Sequence, residues 1–166
     1  MKKIILVTHG EAQRGLPDPG LTETGKKQME ELRTHLLKGF DKFDFVIVGM
    51  GKRHKEALQI IAGRRKPDMI SEIVGVPDTL SSDERYMILS NGEKIPIEEY
   101  AENRFEDIRK RVLPFLKQIF NRLEENILIA GGRIAAIGTG ISPEEAKSGH
   151  IYYITLTESG KIEIRD

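Results

Sequence analysis

The chain has 166 residues, the size of one domain and enough to bury a core without a staple. Lys plus Arg and Asp plus Glu are equal at 26 each, so it lacks the overall basic charge of a nucleic-acid or anionic-membrane binder. There is no cysteine, which excludes a disulfide framework, thiol catalysis and thiolate metal sites together.

Ile4 to Val7 is an all-apolar, β-branched-rich run, as expected of a strand covered on both faces. It is too short for the apolar stretch of a signal peptide, and no later segment approaches the roughly 20 apolar residues of a membrane span, so a cytoplasmic protein without membrane contact is expected. Thr8-His9-Gly10-Glu11 follows at the strand end. Leu21-Thr22 opens a helix that carries Met29, Leu32, Leu36 and Leu37 inward and stops at Gly39.

Phe45 to Val48 reads as a second buried strand, the turn Gly49 to Arg53 follows, and Lys55 to Ala62 makes a second amphipathic helix. Met69 to Val74 is a weaker strand. Pro77 to Pro96 has no clear periodicity, which suits a lid or binding loop. A long helix is predicted from Ile97 to Leu123, bent or divided at Pro114. Ile127 to Ala130 is a third strong strand and leads into Gly131-Gly132-Arg133. His150 to Leu156, Ser159-Gly160 and Lys161 to Arg165 have the alternation and turn of a closing hairpin.

Strands alternating with helices predict a three-layer α/β/α sandwich on a mainly parallel central sheet, and such sheets bind ligands beyond the C-terminal ends of their strands. That rule points to Thr8-His9, Gly49 to Arg53 and Gly131 to Arg133. An imidazole at His9, next to a glycine that lets backbone amides approach a ligand, suits a nucleophile or an acid/base, or a structural histidine at a strand end. The other histidines, His35, His54 and His150, form no pair at metal-ligand spacing, so no metal site and no cofactor are expected.

The order strand, His9-Gly10-Glu11, short loop, Leu21-Thr22-x-x-Gly25-x-x-Gln28 resembles the histidine phosphatase superfamily, also called phosphoglycerate mutase-like, whose first strand ends in Arg-His-Gly-Glu. Gly49 to Ala57 resembles that family's Ser-x-Leu-x-Arg-Ala-x-x-Thr-Ala segment, with Arg53 on its phosphate-binding arginine. The Phe105 to Leu116 helix and the Tyr152 to Ile164 hairpin look like its later parts. The resemblance implies a single phosphoglycerate mutase-like domain over 1–166. It also implies phosphoryl transfer through a phosphohistidine, with two arginines and a second histidine around the phosphoryl oxygens and a carboxylic acid as proton donor.

On that pattern His9 is the nucleophile and Glu84, with Asp83 beside it, the candidate donor. Thr8 stands where the family has its first arginine. Gly131-Gly132-Arg133 stands where the second histidine belongs. Thr8, Gly10, Arg14, Arg53, Gly132 and Arg133 are the expected phosphate-binding residues, with Arg14 or Arg133 able to restore lost charge. Phosphoryl transfer relies on positioning and charge neutralisation, so losing two members of the pocket predicts impaired catalysis around a retained phosphate or phosphoester pocket.

The expected partner is a small phosphorylated molecule, phosphate or a phosphoprotein. The alternatives are an active phosphomonoester or phosphohistidine phosphatase, and a dinucleotide-binding module suggested by strand-Gly49-x-Gly51 with Glu72 about 20 residues on.

Overall fold

The computed structural model describes residues 2–39, 42–63 and 66–166. Its order is β1 (Lys3–Thr8), α1 (Glu23–Leu37), β2 (Phe45–Val48), α2 (Lys52–Ala62), β3 (Met69–Ile70), β4 (Thr79–Leu80), β5 (Tyr86–Ile88), β6 (Lys94–Pro96), α3 (Ile97–Tyr100), a π-helical turn over Ala101–Phe105, α4 (Glu106–Phe120), β7 (Asn126–Gly131), α5 (Arg133–Gly138), β8 (Ile151–Leu156) and β9 (Ile162–Arg165). Six strands form the central sheet in the order β3-β2-β7-β1-β8-β9. β3, β2, β7 and β1 run parallel, while β8 and β9 join antiparallel as the terminal hairpin.

Strand alternation sorts the core into two faces. Ile4, Leu6, Ile47, Ile127 and Ile129 point toward α4 and α5, where Val112, Leu116 and Ala136 meet them. Ile5, Val7, Val46, Val48 and Leu128 point the other way, onto Met29 of α1 and Ala57 and Leu58 of α2. Because both faces are covered, these strands read as continuous apolar runs. The three-layer sandwich predicted from the sequence is the fold observed.

Three sequence readings need correction. The weak strand Met69 to Val74 is shortened to Met69–Ile70, a sheet edge that pairs with β2 alone. The long helix is interrupted at Ala101–Phe105 and ends at Phe120 rather than Leu123, which is 97% exposed. Pro114 lies inside α4 on its exposed side, where the carbonyl it leaves unbonded can be solvated.

Pro77 to Pro96, which has no periodicity in the sequence, holds a small antiparallel sheet β4-β5-β6 whose strands have two or three residues each. Strands that short display no alternation to read.

Among the described residues, no helix is long and apolar enough to cross a membrane.

Candidate functional site

The order β2-β7-β1 brings the C-terminal ends of those strands side by side, and with them His9, Gly49 to His54 and Gly132-Arg133. The backbone of His9 is pinned on both sides, donating to Gly131 O at 3.0 Å and accepting from Gly149 N at 2.8 Å. A cavity of about 530 Å³ opens there, with Thr79, Leu80 and Met87 of the small sheet forming part of its wall.

The Leu-Thr-x-x-Gly-x-x-Gln pattern has a direct physical reading. Thr22 caps α1 by accepting from Gly25 N at 3.0 Å, and Gln28 Oε1 accepts from Glu11 N at 2.8 Å. Gly10 and Gly25 let the histidine turn lie against the helix. A Cβ on Gly25 would stand 2.0 Å from Glu11 O, and one on Gly10 would stand 2.6 Å from Gly25 O.

His9 Nδ1 donates to Gly10 O at 2.7 Å, because a carbonyl only accepts. Nε2 therefore carries the lone pair, and Arg53 Nε donates to it at 3.2 Å. Burial and the Arg53 charge, with Arg133 adding to them, overcome the hydrogen bond to Gly10 and pull the imidazole pKa down to about 4. His9 is thus neutral near pH 7, with its nucleophilic nitrogen beside a cation.

Arg53 is buried, and Nη2 donates to Val76 O at 2.9 Å and to Asp78 O at 2.8 Å, with Nη1 3.4 Å from Pro77 O. It ties the 76–78 segment to α2. The Asp78 carboxylate accepts from Tyr100 Oη at 2.8 Å and Arg104 Nε at 2.6 Å, linking that segment to α3 and the π-helical turn. Burial and the bond to Asp78 push the Tyr100 phenol well up.

Of the residues singled out in the sequence, His9, Gly10, Arg14, Arg53, Gly132 and Arg133 line the cavity together. Thr8 and Glu84 do not. Thr8 is fully buried and turns away from the cavity, its hydroxyl donating to Lys147 O at 2.8 Å and accepting from His150 N at 3.0 Å. Glu84, at a positive φ of 60°, is ion-paired with Arg14 at 2.6 Å on the exposed rim, and Asp83 is held by Ser81 at 2.6 Å. The carboxylates that do line the cavity are Glu11 and Asp78. Arg133 Nε donates to Ala146 O at 2.8 Å and its Nη2 to Pro143 O.

His54 was not among the residues selected from the sequence. It also lines the cavity, 1% exposed, its ring edge-on to His9 with centroids 5.1 Å apart. Its signal in the sequence was indirect, an imidazole among Gly49, Gly51 and, farther on, Gly75. A Cβ on any of these would come within 2.6 to 2.7 Å of the His54 ring. The Gly-x-Gly that suggested a dinucleotide turn therefore makes room for a side chain. Glu72, the acid of that reading, pairs with Arg111 at 3.1 Å. Among the described residues no cluster of His, Asp or Glu able to hold a metal ion occurs.

Residues 4–73 match the family profile of the histidine phosphatase superfamily (branch 1). No curated protein matches the chain. Among solved structures, it is similar to phosphoserine phosphatase from Entamoeba histolytica in complex with 3-phosphoglyceric acid (18% identity, 100% of this chain and 96% of that one, TM-score 0.65). It is similar to a putative alpha-ribazole-5'-P phosphatase from Escherichia coli (18% identity, 99% and 96%, TM-score 0.66). It is also similar to the protein histidine phosphatase SixA complexed with tungstate (13% identity, 98% and 94%, TM-score 0.65). Residues 4–73 thus resemble the histidine phosphatase superfamily in sequence, and the whole chain shares the fold of these phosphatases.

Proposed function

We propose that the cavity binds the phosphoryl group of a small phosphorylated molecule or phosphoprotein between His9 and Arg53, and that turnover there is impaired. The observation that carries the binding is the neutral His9 imidazole with its Nε2 lone pair held 3.2 Å from a buried guanidinium. Arg133 lines the same cavity and adds positive charge, Arg14 lines it as the partner of Glu84, and the backbone of Gly10 and Gly132 lets a ligand approach closely.

Impairment is supported by Thr8, whose side chain is committed to the 147–150 loop, and by a 131–132 turn without an imidazole. Removing one oxyanion donor typically lowers a rate about 10²- to 10³-fold. Isothermal titration of the purified chain with orthovanadate and phosphate tests the pocket, and binding lost in Arg53→Ala is the expected result. No binding by the wild type defeats this reading.

A second reading, an active phosphomonoester or phosphohistidine phosphatase, is favoured by the unprotonated Nε2 of His9, the form that attacks phosphorus. In it Glu84 leaves Arg14 to supply the proton. A panel of phosphomonoesters and phosphohistidine peptides, with His9→Ala as control, separates the readings: ordinary enzyme rates abolished in His9→Ala select this one. A dinucleotide-binding module predicts instead that NAD or NADP raises the Tm while phosphate and vanadate do not.

A further inference from the structure

The geometry points to His54 as a further anion-binding residue of this cavity, donating Nε2–H to the phosphoryl group held at His9 from the place that a side chain on Gly132 would occupy. The inference rests on the phosphate-pocket reading and goes beyond it in naming which imidazole completes the pocket.

His54 Nδ1 accepts the backbone N–H of Gly51 at 3.0 Å, so the proton of the neutral ring is on Nε2. Burial first, then the neighbouring His9, Arg53 and Lys55, keep the ring neutral by holding its pKa well below the ordinary value. The bond to Gly51 helps order the start of α2, and that accounts for one ring nitrogen only. Nε2 has no hydrogen-bond partner among the described residues. No sealed side-chain nitrogen or oxygen among them lacks a partner, so Nε2 opens on the cavity that His54 lines. A polar group so placed in a buried ring is costly unless a ligand or water meets it.

The position of the ring is equally specific. A Cβ on Gly132 would lie 3.4 Å from His54 Nε2 and 3.8 Å from His9 Cδ2 and Nε2. Gly132 has an ordinary extended backbone, φ −118° and ψ 178°, that any residue can adopt. The glycine at 132 therefore leaves a space beside His9, and the imidazole reaching toward that space comes from α2. Gly49, Gly51 and Gly75 clear the other edges, where a Cβ would come within 2.7 Å of the ring, so His54 fits there because those three positions lack side chains.

The test is orthovanadate affinity by calorimetry for the wild type, His54→Ala, Gly132→His and the double variant His54→Ala/Gly132→His, each checked for folding by circular dichroism. Loss of one donor to a charged ligand should weaken binding by roughly ten- to a hundredfold in His54→Ala. The double variant should regain most of that loss, since an imidazole on Gly132 enters the space His54 vacates. Gly132→His alone should bind more weakly than wild type, because two rings then compete for one place.

A parallel readout on the wild type is the ¹⁵N resonance of His54 Nε2, which should move on saturation with phosphate. A folded His54→Ala that binds orthovanadate like the wild type overturns the inference and leaves the His9–Arg53 pocket standing. A loss that the double variant does not regain, or an unfolded His54→Ala, overturns it if the His54 resonance also stays put under saturating phosphate; a resonance that moves supports it. A wild type that binds no anion overturns both.

Discussion

Arg53 Nε donates to His9 Nε2 across 3.2 Å while its Nη2 bridges the carbonyls of Val76 and Asp78. One buried guanidinium thus positions the candidate nucleophile and the segment facing it. Arg53→Lys keeps the charge but not the planar fork, so it should leave at least one buried carbonyl unpaired. The expected loss is about 1–3 kcal/mol in urea unfolding, with weaker orthovanadate binding in the same protein. Unchanged stability would show that the carbonyls find other partners.

The His9 pKa, lowered to about 4 from 6.5, makes stability pH-dependent. Between those values the unfolded chain takes up a proton that the folded chain refuses, so stability is full above about 6.5 and declines as pH falls toward 4. His54, shifted in the same direction, adds to the slope. The slope is on the order of 1 kcal/mol per pH unit for each imidazole across its window. Thermal melts of the wild type and His9→Ala from pH 7 to 4 check this, with the shallower dependence expected in the variant.

Gly25→Ala should destabilise strongly, because its Cβ would stand 2.0 Å from Glu11 O, a backbone atom that cannot rotate away. Alanine is otherwise the better helix former by about 1 kcal/mol. A lowered urea midpoint therefore reports the contact between helix and histidine turn, and a raised midpoint would show that the turn moves freely.

Under the impaired reading, an arginine at Thr8, the residue that the family resemblance implies there, should not raise phosphatase activity. Thr8 is fully buried, and its hydroxyl links Lys147 O and His150 N. Thr8→Arg places a long cation in that site and is expected to cost more than about 3 kcal/mol, whereas Thr8→Val should cost about 1–3 kcal/mol from the unpaired groups. Chemical denaturation ranks the two, and a phosphatase assay shows whether any activity appears in Thr8→Arg.

Glu84 and Arg14 meet on the exposed rim, so Glu84→Gln should change stability by less than about 1 kcal/mol. Under the impaired reading it should also leave orthovanadate affinity unchanged or slightly raised, because Arg14, which lines the cavity, loses its counter-charge. A large loss of turnover in Glu84→Gln, with His9 intact, would instead mark it as the proton donor of the active reading.

The amino-acid sequence by itself determined the layered architecture. Runs such as Ile4 to Val7 and Ile127 to Ala130, and the amphipathic faces of α1, α2 and α4, are local patterns whose burial follows from periodicity. It also pointed to residues that line one cavity, the candidate site, since His9, Arg53 and Arg133 all follow strand ends. Tertiary structure decided what each side chain does there. Thr8 looked like a pocket residue until the 147–150 loop, far along the chain, claimed its hydroxyl. His54 looked like a neighbour of Arg53 until Gly75, from another turn, joined Gly49 and Gly51 in leaving its ring a place beside His9. Those are contacts between distant segments, and no periodicity within one segment encodes them.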